Sequence, residues 1–129
     1  MARVLVLDDD PLIQATLPML LREHGYDVST ATNGKLGLRL LQTERIDLVL
    51  TDVLMPEADG IEVVRDVVKN HPTIALVAMS GGSSRLPGTD AVHLTRLLGA
   101  HAVLLKPFGE EDLLEAMRKA LANVQTPRG

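Results

Sequence analysis

Five polar side chains stand where apolar runs stop. Asp8 and Asp9 follow Val4-Leu5-Val6-Leu7, Asp52 follows Leu48-Val49-Leu50-Thr51, Ser80 follows Ile74 to Met79, and Lys106 follows Ala102-Val103-Leu104-Leu105. Two carboxylates about 4 Å apart at a partly wet site repel by up to about 4 kcal/mol, so such a group is costly alone and favourable around a hard cation. Oxygen ligands with no His or Cys beside them select Mg²⁺, or Mn²⁺, over zinc. Lys106 would bring a compact cation to a carboxylate or phosphoryl oxygen, and Ser80 a hydroxyl donor. Such a set suits phosphoryl transfer, which asks a protein for positioning and charge neutralisation. Asp52 is the natural oxygen nucleophile. Pro56 keeps the chain after it from entering a helix at once, and Asp59-Gly60 marks a turn.

For these groups to meet, the runs before them must be neighbouring strands of one parallel sheet. Val4-Leu5-Val6-Leu7 is continuously apolar rather than alternating, the pattern of a strand covered on both faces. The open α/β arrangement then places every strand's C-terminal end on one rim, where ligands bind. Helices are expected between the strands. Asp10-Pro11 offers a capping carboxylate followed by Pro at the first helical position, and Gly25 stops that helix after Glu23 or His24. Pro18 falls inside it and predicts a bend rather than a break. Asp27 to Ala31 reads as a less apolar edge strand. Asn33-Gly34 opens a second helix with Leu36, Leu38, Leu40 and Leu41 available for its buried face. Ile46 to Thr51 is the third strand. Gly60 to Asn70 is a third helix, with Ile61, Val64, Val67 and Val68 on one stripe. Ile74 to Met79 is the fourth strand, ending in a Gly/Ser loop. Asp90 to Leu98 is a fourth helix, Ala102 to Leu105 the fifth strand, and Gly109 to about Asn123 the last helix. Five β-α units with right-handed crossovers make a three-layer α/β sandwich. The domain is expected over 1–124, with 125–129 a short polar tail.

Bulk properties exclude several classes. The 129 residues fit one domain, which hides roughly two-thirds of its unfolded surface and needs no disulfide or structural metal. There is no cysteine. A net charge of −4 and an aromatic content of 2% argue against a nucleic-acid surface. The apolar blocks are far below the ~20 residues of a membrane helix, and the start is too soon acidic for a signal peptide. A cytoplasmic protein with no membrane contact is expected. The four histidines, His24, His71, His93 and His101, lack ligand spacing and read as solvated or helix-end residues.

Taken together, Asp8-Asp9, Asp52, Ser80 and Lys106-Pro107-Phe108, with Met55-Pro56 and Asp59-Gly60, resemble the receiver (CheY-like) domain of two-component response regulators. The resemblance runs from about Arg3 to Asn123. It implies a flavodoxin-like doubly wound sheet of strand order 2-1-3-4-5, in a stand-alone single-domain protein. It implies that Asp52 accepts a phosphoryl group from a sensor histidine kinase or a histidine phosphotransfer protein. Asp8, Asp9, Asp52 and the backbone carbonyl of Leu54 would hold Mg²⁺. Lys106 would pair with the acceptor and then the phosphoryl group, and Ser80 would turn to a phosphoryl oxygen and report the modification to a downstream protein. The chain would then be a signalling domain rather than an enzyme, assisting its own phosphorylation and slow dephosphorylation. It would be a monomer or a phosphorylation-dependent homodimer. The resemblance also suggests a cis Lys106-Pro107 bond.

Departures from the family pattern carry information. Val103 stands three residues before Lys106, where the family often has Tyr or Phe, so the usual inward-turning ring is missing. Leu54 and Gly82, two residues past Asp52 and Ser80, cannot orient an attacking water, which predicts a long-lived phosphoryl group. The long interval through Ser83 to Thr89 marks that loop as a place where the signal could emerge. Two other readings compete. One is a haloacid-dehalogenase-like phosphatase, because Asp8-x-Asp10 partly imitates that nucleophile motif; Leu12 stands where the motif wants Thr or Val, and there is no cap domain. The other is a degenerate receiver that binds without being phosphorylated.

Overall fold

A computed structural model describes residues 2–53, 59–81 and 99–124. Five parallel strands form one sheet in the order β2-β1-β3-β4-β5: β1 is Arg3–Leu7, β2 Asp27–Ala31, β3 Leu48–Asp52, β4 Ala75–Gly81 and β5 Ala102–Lys106. Four helices are described: α1 Pro11–Glu23, α2 Gly34–Thr43, α3 Asp59–Asn70 and α4 Glu110–Asn123. The helix expected over Asp90 to Leu98, the loop from Ser83 to Thr89, Leu54 with Met55 and Pro56, Gly82, His93 and the tail at 125–129 lie outside the described residues.

Alternation along β1 explains the three layers. Val4 and Val6 point to one face and pack with Leu17 and Leu21 of α1 and Leu113 and Met117 of α4. Leu5 and Leu7 point to the other and pack with Leu41 of α2 and Val63, Val64 and Val67 of α3. Val4, Leu5, Val6 and Leu7 are all fully buried, as a doubly covered strand requires. Each such side chain contributes about 1.5–3 kcal/mol relative to exposure. β2 is half exposed and lies at the edge, where its polar composition fits.

Helix ends follow their sequence signals. Asp10 Oδ1 accepts from Leu12 N at 2.9 Å and caps α1, which runs unbroken through Pro18. Gly25, at φ 89°, turns the chain beyond it in the left-handed region. Asn33 Oδ1 accepts from Leu36 N at 2.8 Å and caps α2. The Lys106-Pro107 bond is cis.

Several faces differ from their expected composition. The buried side of α2 is Gly34, Gly37 and Leu41, and Leu36 faces outward. Gly37 lets the helix lie against β1: a Cβ there would sit 3.2 Å from Leu7 Cδ2. On α3, Val63 joins Val64 and Val67 in the core, while Val68 is 41% exposed. Ser80 lies within β4, not after it, because the β4–β5 pairing continues to Gly81 opposite Lys106. His101 is not simply solvated. It is half-buried, its backbone N–H donates to Leu76 O at 2.9 Å, and its ring Nδ1 accepts from Leu76 N at 3.0 Å. Burial pushes its pKa down, and the accepted bond requires an unprotonated Nδ1. His24 and His71 do sit at helix ends, paired with Glu110 and Asp66.

Candidate functional site

β1, β3 and β5 end together, so their last side chains share one rim. Register sets the depth of each: Leu7 lies opposite Thr51, Asp52 opposite Met79, and Gly81 opposite Lys106. Asp8 and Asp52 are buried, and Asp9 beside them is exposed. One carboxylate oxygen from each of these three acids lies within 4.8 Å of the others. A set of oxygen donors this close, with one acid open to solvent, fits a hard divalent cation such as Mg²⁺.

Lys106 crosses the sheet to reach two of the acids. Its Nζ donates to Asp8 Oδ2 at 2.7 Å and to Asp52 Oδ2 at 3.2 Å. The shorter bond goes to Asp8, whereas the resemblance paired the lysine with Asp52. Asp8 is the more deeply buried of the two and gains most from a neutralising partner. Burial pushes the Asp8 carboxyl up, and its bonds from Lys106 and from Asp10 N (2.9 Å) only partly oppose this. Burial also pulls the Lys106 ammonium down, but the bond to Asp8 and the charges of Asp52 and Asp8 outweigh it, so its pKa is raised. The lysine is therefore a permanent cation at neutral pH.

Ser80 stands one residue beyond Met79, the register partner of Asp52. Its Oγ is fully buried and has no hydrogen-bond partner among the described residues. A buried hydroxyl left without a partner costs about 1–3 kcal/mol. Leu54, whose carbonyl the resemblance gave to the cation, lies outside the described residues. Asp10 is not one of the three clustered acids and serves as the helix cap.

Two residues at the rim were not singled out from sequence for the site. Gly60, in the first turn of α3, lies against the end of β3. A Cβ there would collide with the carbonyl oxygen of Asp52 and come within 2.7 Å of Val53 Cα. The Asp59-Gly60 pair signalled a turn but not this contact. Gln14 on α1 donates from Nε2 to the carbonyl oxygens of Asp8 and Ala31, both at 2.8 Å. A polar residue in the second turn of an amphipathic helix gives no sign of that in sequence.

Comparison with known proteins agrees with this geometry. The family model described as the response regulator receiver domain matches residues 4–118. The response regulator MprA of Mycolicibacterium vanbaalenii is 39% identical over 128 residues, covering 97% of this chain and 52% of MprA. The chain spans about half the length of the curated MprA relatives it matches. A response regulator receiver domain protein from Clostridium thermocellum superposes with a TM-score of 0.83 at 31% identity, covering 95% of both chains. The response regulator TrrA of Thermotoga maritima, solved in complex with Mg²⁺ and BeF, gives 0.79 at 30% identity, over 94% of this chain and 100% of TrrA. The acid cluster fits a phosphoacceptor site. Sheet order, rim and sequence match agree over nearly the whole length, and the chain belongs to the response regulator receiver domain family.

Proposed function

We propose that Asp52 accepts a phosphoryl group from a phosphohistidine on a sensor histidine kinase or a histidine phosphotransfer protein, and that Lys106 and Ser80 convert this into a change of shape read by a downstream protein. The observation that carries the reading is Lys106 Nζ bridging Asp8 and Asp52 within a group of three acids whose oxygens lie within 4.8 Å. Asp8, Asp9 and Asp52, with the Leu54 carbonyl suggested by the resemblance, would hold Mg²⁺, with Mn²⁺ as the alternative. When bound, that ion supplies charge neutralisation for the transferring oxygens. Asp52 Oδ forms the new O–P bond while the P–N bond of the phosphohistidine breaks, and the departing imidazole keeps a proton. The Lys106 ammonium offsets charge on the acceptor before transfer and on the phosphoryl group after it. The Ser80 hydroxyl, which has no hydrogen-bond partner among the described residues, donates to a phosphoryl oxygen.

On this reading the chain is a phosphoacceptor rather than a turnover enzyme, acts in the cytoplasm and does not itself touch nucleic acid. Among the described residues no helix is long and apolar enough to cross a membrane. Acetyl phosphate, with and without Mg²⁺, followed by intact mass, tests the proposal. One phosphoryl group should be gained only with Mg²⁺, and Asp52→Asn should abolish the gain. Turnover of phosphate esters through Asp8 would favour the phosphatase reading, and neither labelling nor turnover the degenerate receiver.

A further inference from the structure

The β1–β2 ladder stops one residue before the acid pair needs it. Leu7 pairs with Ala31, the last residue of β2, and Asp8 N still reaches Ala31 O at 3.2 Å. The Asp8 carbonyl lies beyond the end of β2, so the ladder supplies it no next residue. Yet this peptide carries the buried carboxylate that Lys106 grips, and Asp9 follows it directly. A helical side chain leans toward its own N-terminus, and Gln14 in the second turn of α1 therefore returns to the rim. Its amide nitrogen has two hydrogens, and it makes one 2.8 Å bond to Asp8 O and another to Ala31 O.

We propose that Gln14 is a positioning residue for the cation site: its side-chain amide takes the place of the missing strand partner and fixes the Asp8 peptide, and with it the aim of the Asp8 and Asp9 carboxylates. Asp10 N then holds Asp8 Oδ1 at 2.9 Å from the other side. The two anchors constrain the same residue at its carbonyl and at its carboxylate. A neutral amide suits this task. It supplies both donors without adding a cation that would compete with a divalent ion for the same acids. Groups that orient metal ligands in this way typically change affinity by about 10–100-fold when removed.

The inference rests on the proposed cation site, and its test separates the two. Mg²⁺ alone is titrated into the unphosphorylated full chain, followed by amide NMR, and exchange of the Asp8 and Asp10 amides is measured without metal. Gln14→Met keeps the length and removes both donors. It should weaken Mg²⁺ binding about tenfold, the lower end of that range, and speed exchange at Asp10 with little change at core amides such as Leu50. Gln14→Lys keeps donors on a chain of similar reach and should preserve Asp10 protection while weakening Mg²⁺ through its charge. Should Gln14→Met not fold, Gln14→Asn, one methylene too short for both carbonyls, is expected to give the same two changes. Wild-type Mg²⁺ affinity and Asp10 protection in a donor-less variant would overturn the inference. So would equal loss of protection in Gln14→Lys and Gln14→Met, because bulk rather than donation would then be at work. A wild-type chain that binds no Mg²⁺ would instead overturn the cation site, with Asp10 exchange still reporting whether Gln14 holds the peptide.

Discussion

At the scale of single residues, the site trades stability for chemistry. Asp8 is fully buried with its carboxyl pushed up by that burial, so its charged form is disfavoured in the fold. Asp8→Asn keeps the shape and removes the charge. It should raise the unfolding free energy by about 1 kcal/mol, in the range usual for relieving a strained functional site. It should also abolish the stabilisation that Mg²⁺ gives the native chain, which at 100 times the dissociation constant is about 2.7 kcal/mol. Thermal melts with and without Mg²⁺ read both effects, and a less stable variant would contradict the first. The acids, the serine and the lysine were legible in sequence because each ends an apolar run. Gln14 and Gly60 were not, because their roles lie in contacts between elements distant along the chain.

At the scale of elements, close approach decides where the rim can form. The first turn of α3 sits against the last residue of β3 because Gly60 has no side chain. Gly60→Ala should destabilise the chain by about 1–3 kcal/mol, the usual cost of overpacking, and should lower Mg²⁺ affinity by shifting Asp52. Urea unfolding together with an Mg²⁺ titration checks this, and wild-type values in both would refute it. The start of β5 carries a second device, His101, which accepts the Leu76 N–H in its neutral form. Its native pKa is lowered by burial below the ordinary 6.5. The unfolded chain therefore binds the proton more readily, and stability present above pH 6.5 is lost as pH falls from there toward the native value. His101→Asn keeps an acceptor and does not titrate. Its unfolding free energy should depend less on pH between 7.5 and 5.5 than that of the wild type, and identical slopes would contradict the assignment. Sequence placed His101 among solvated or helix-end residues, because the bond it makes reaches a strand residue 25 positions away and leaves no local pattern.

At the scale of the molecule, the order of strands brings residues 8, 52, 80 and 106 to one edge. Strand identity and order of elements were legible from Val4-Leu5-Val6-Leu7 and its counterparts, because doubly covered strands carry unbroken apolar runs. Strand order itself came with the family resemblance. The faces of α2 and α3 were read less well. Gly37 takes a contact position that a leucine would normally fill, so counting leucines misplaced Leu36, and Val68 lies beyond the edge of its stripe. On the proposed function, this assembled edge makes Asp52, and no other acid, the temporary carrier of phosphorus. Treatment with acetyl phosphate and Mg²⁺, then borohydride, reduces an acyl phosphate to an alcohol that survives peptide mapping. Homoserine is expected at position 52 alone, dependent on Mg²⁺; reduction at position 8 or 9, or at no aspartate at all, would contradict Asp52 as the carrier.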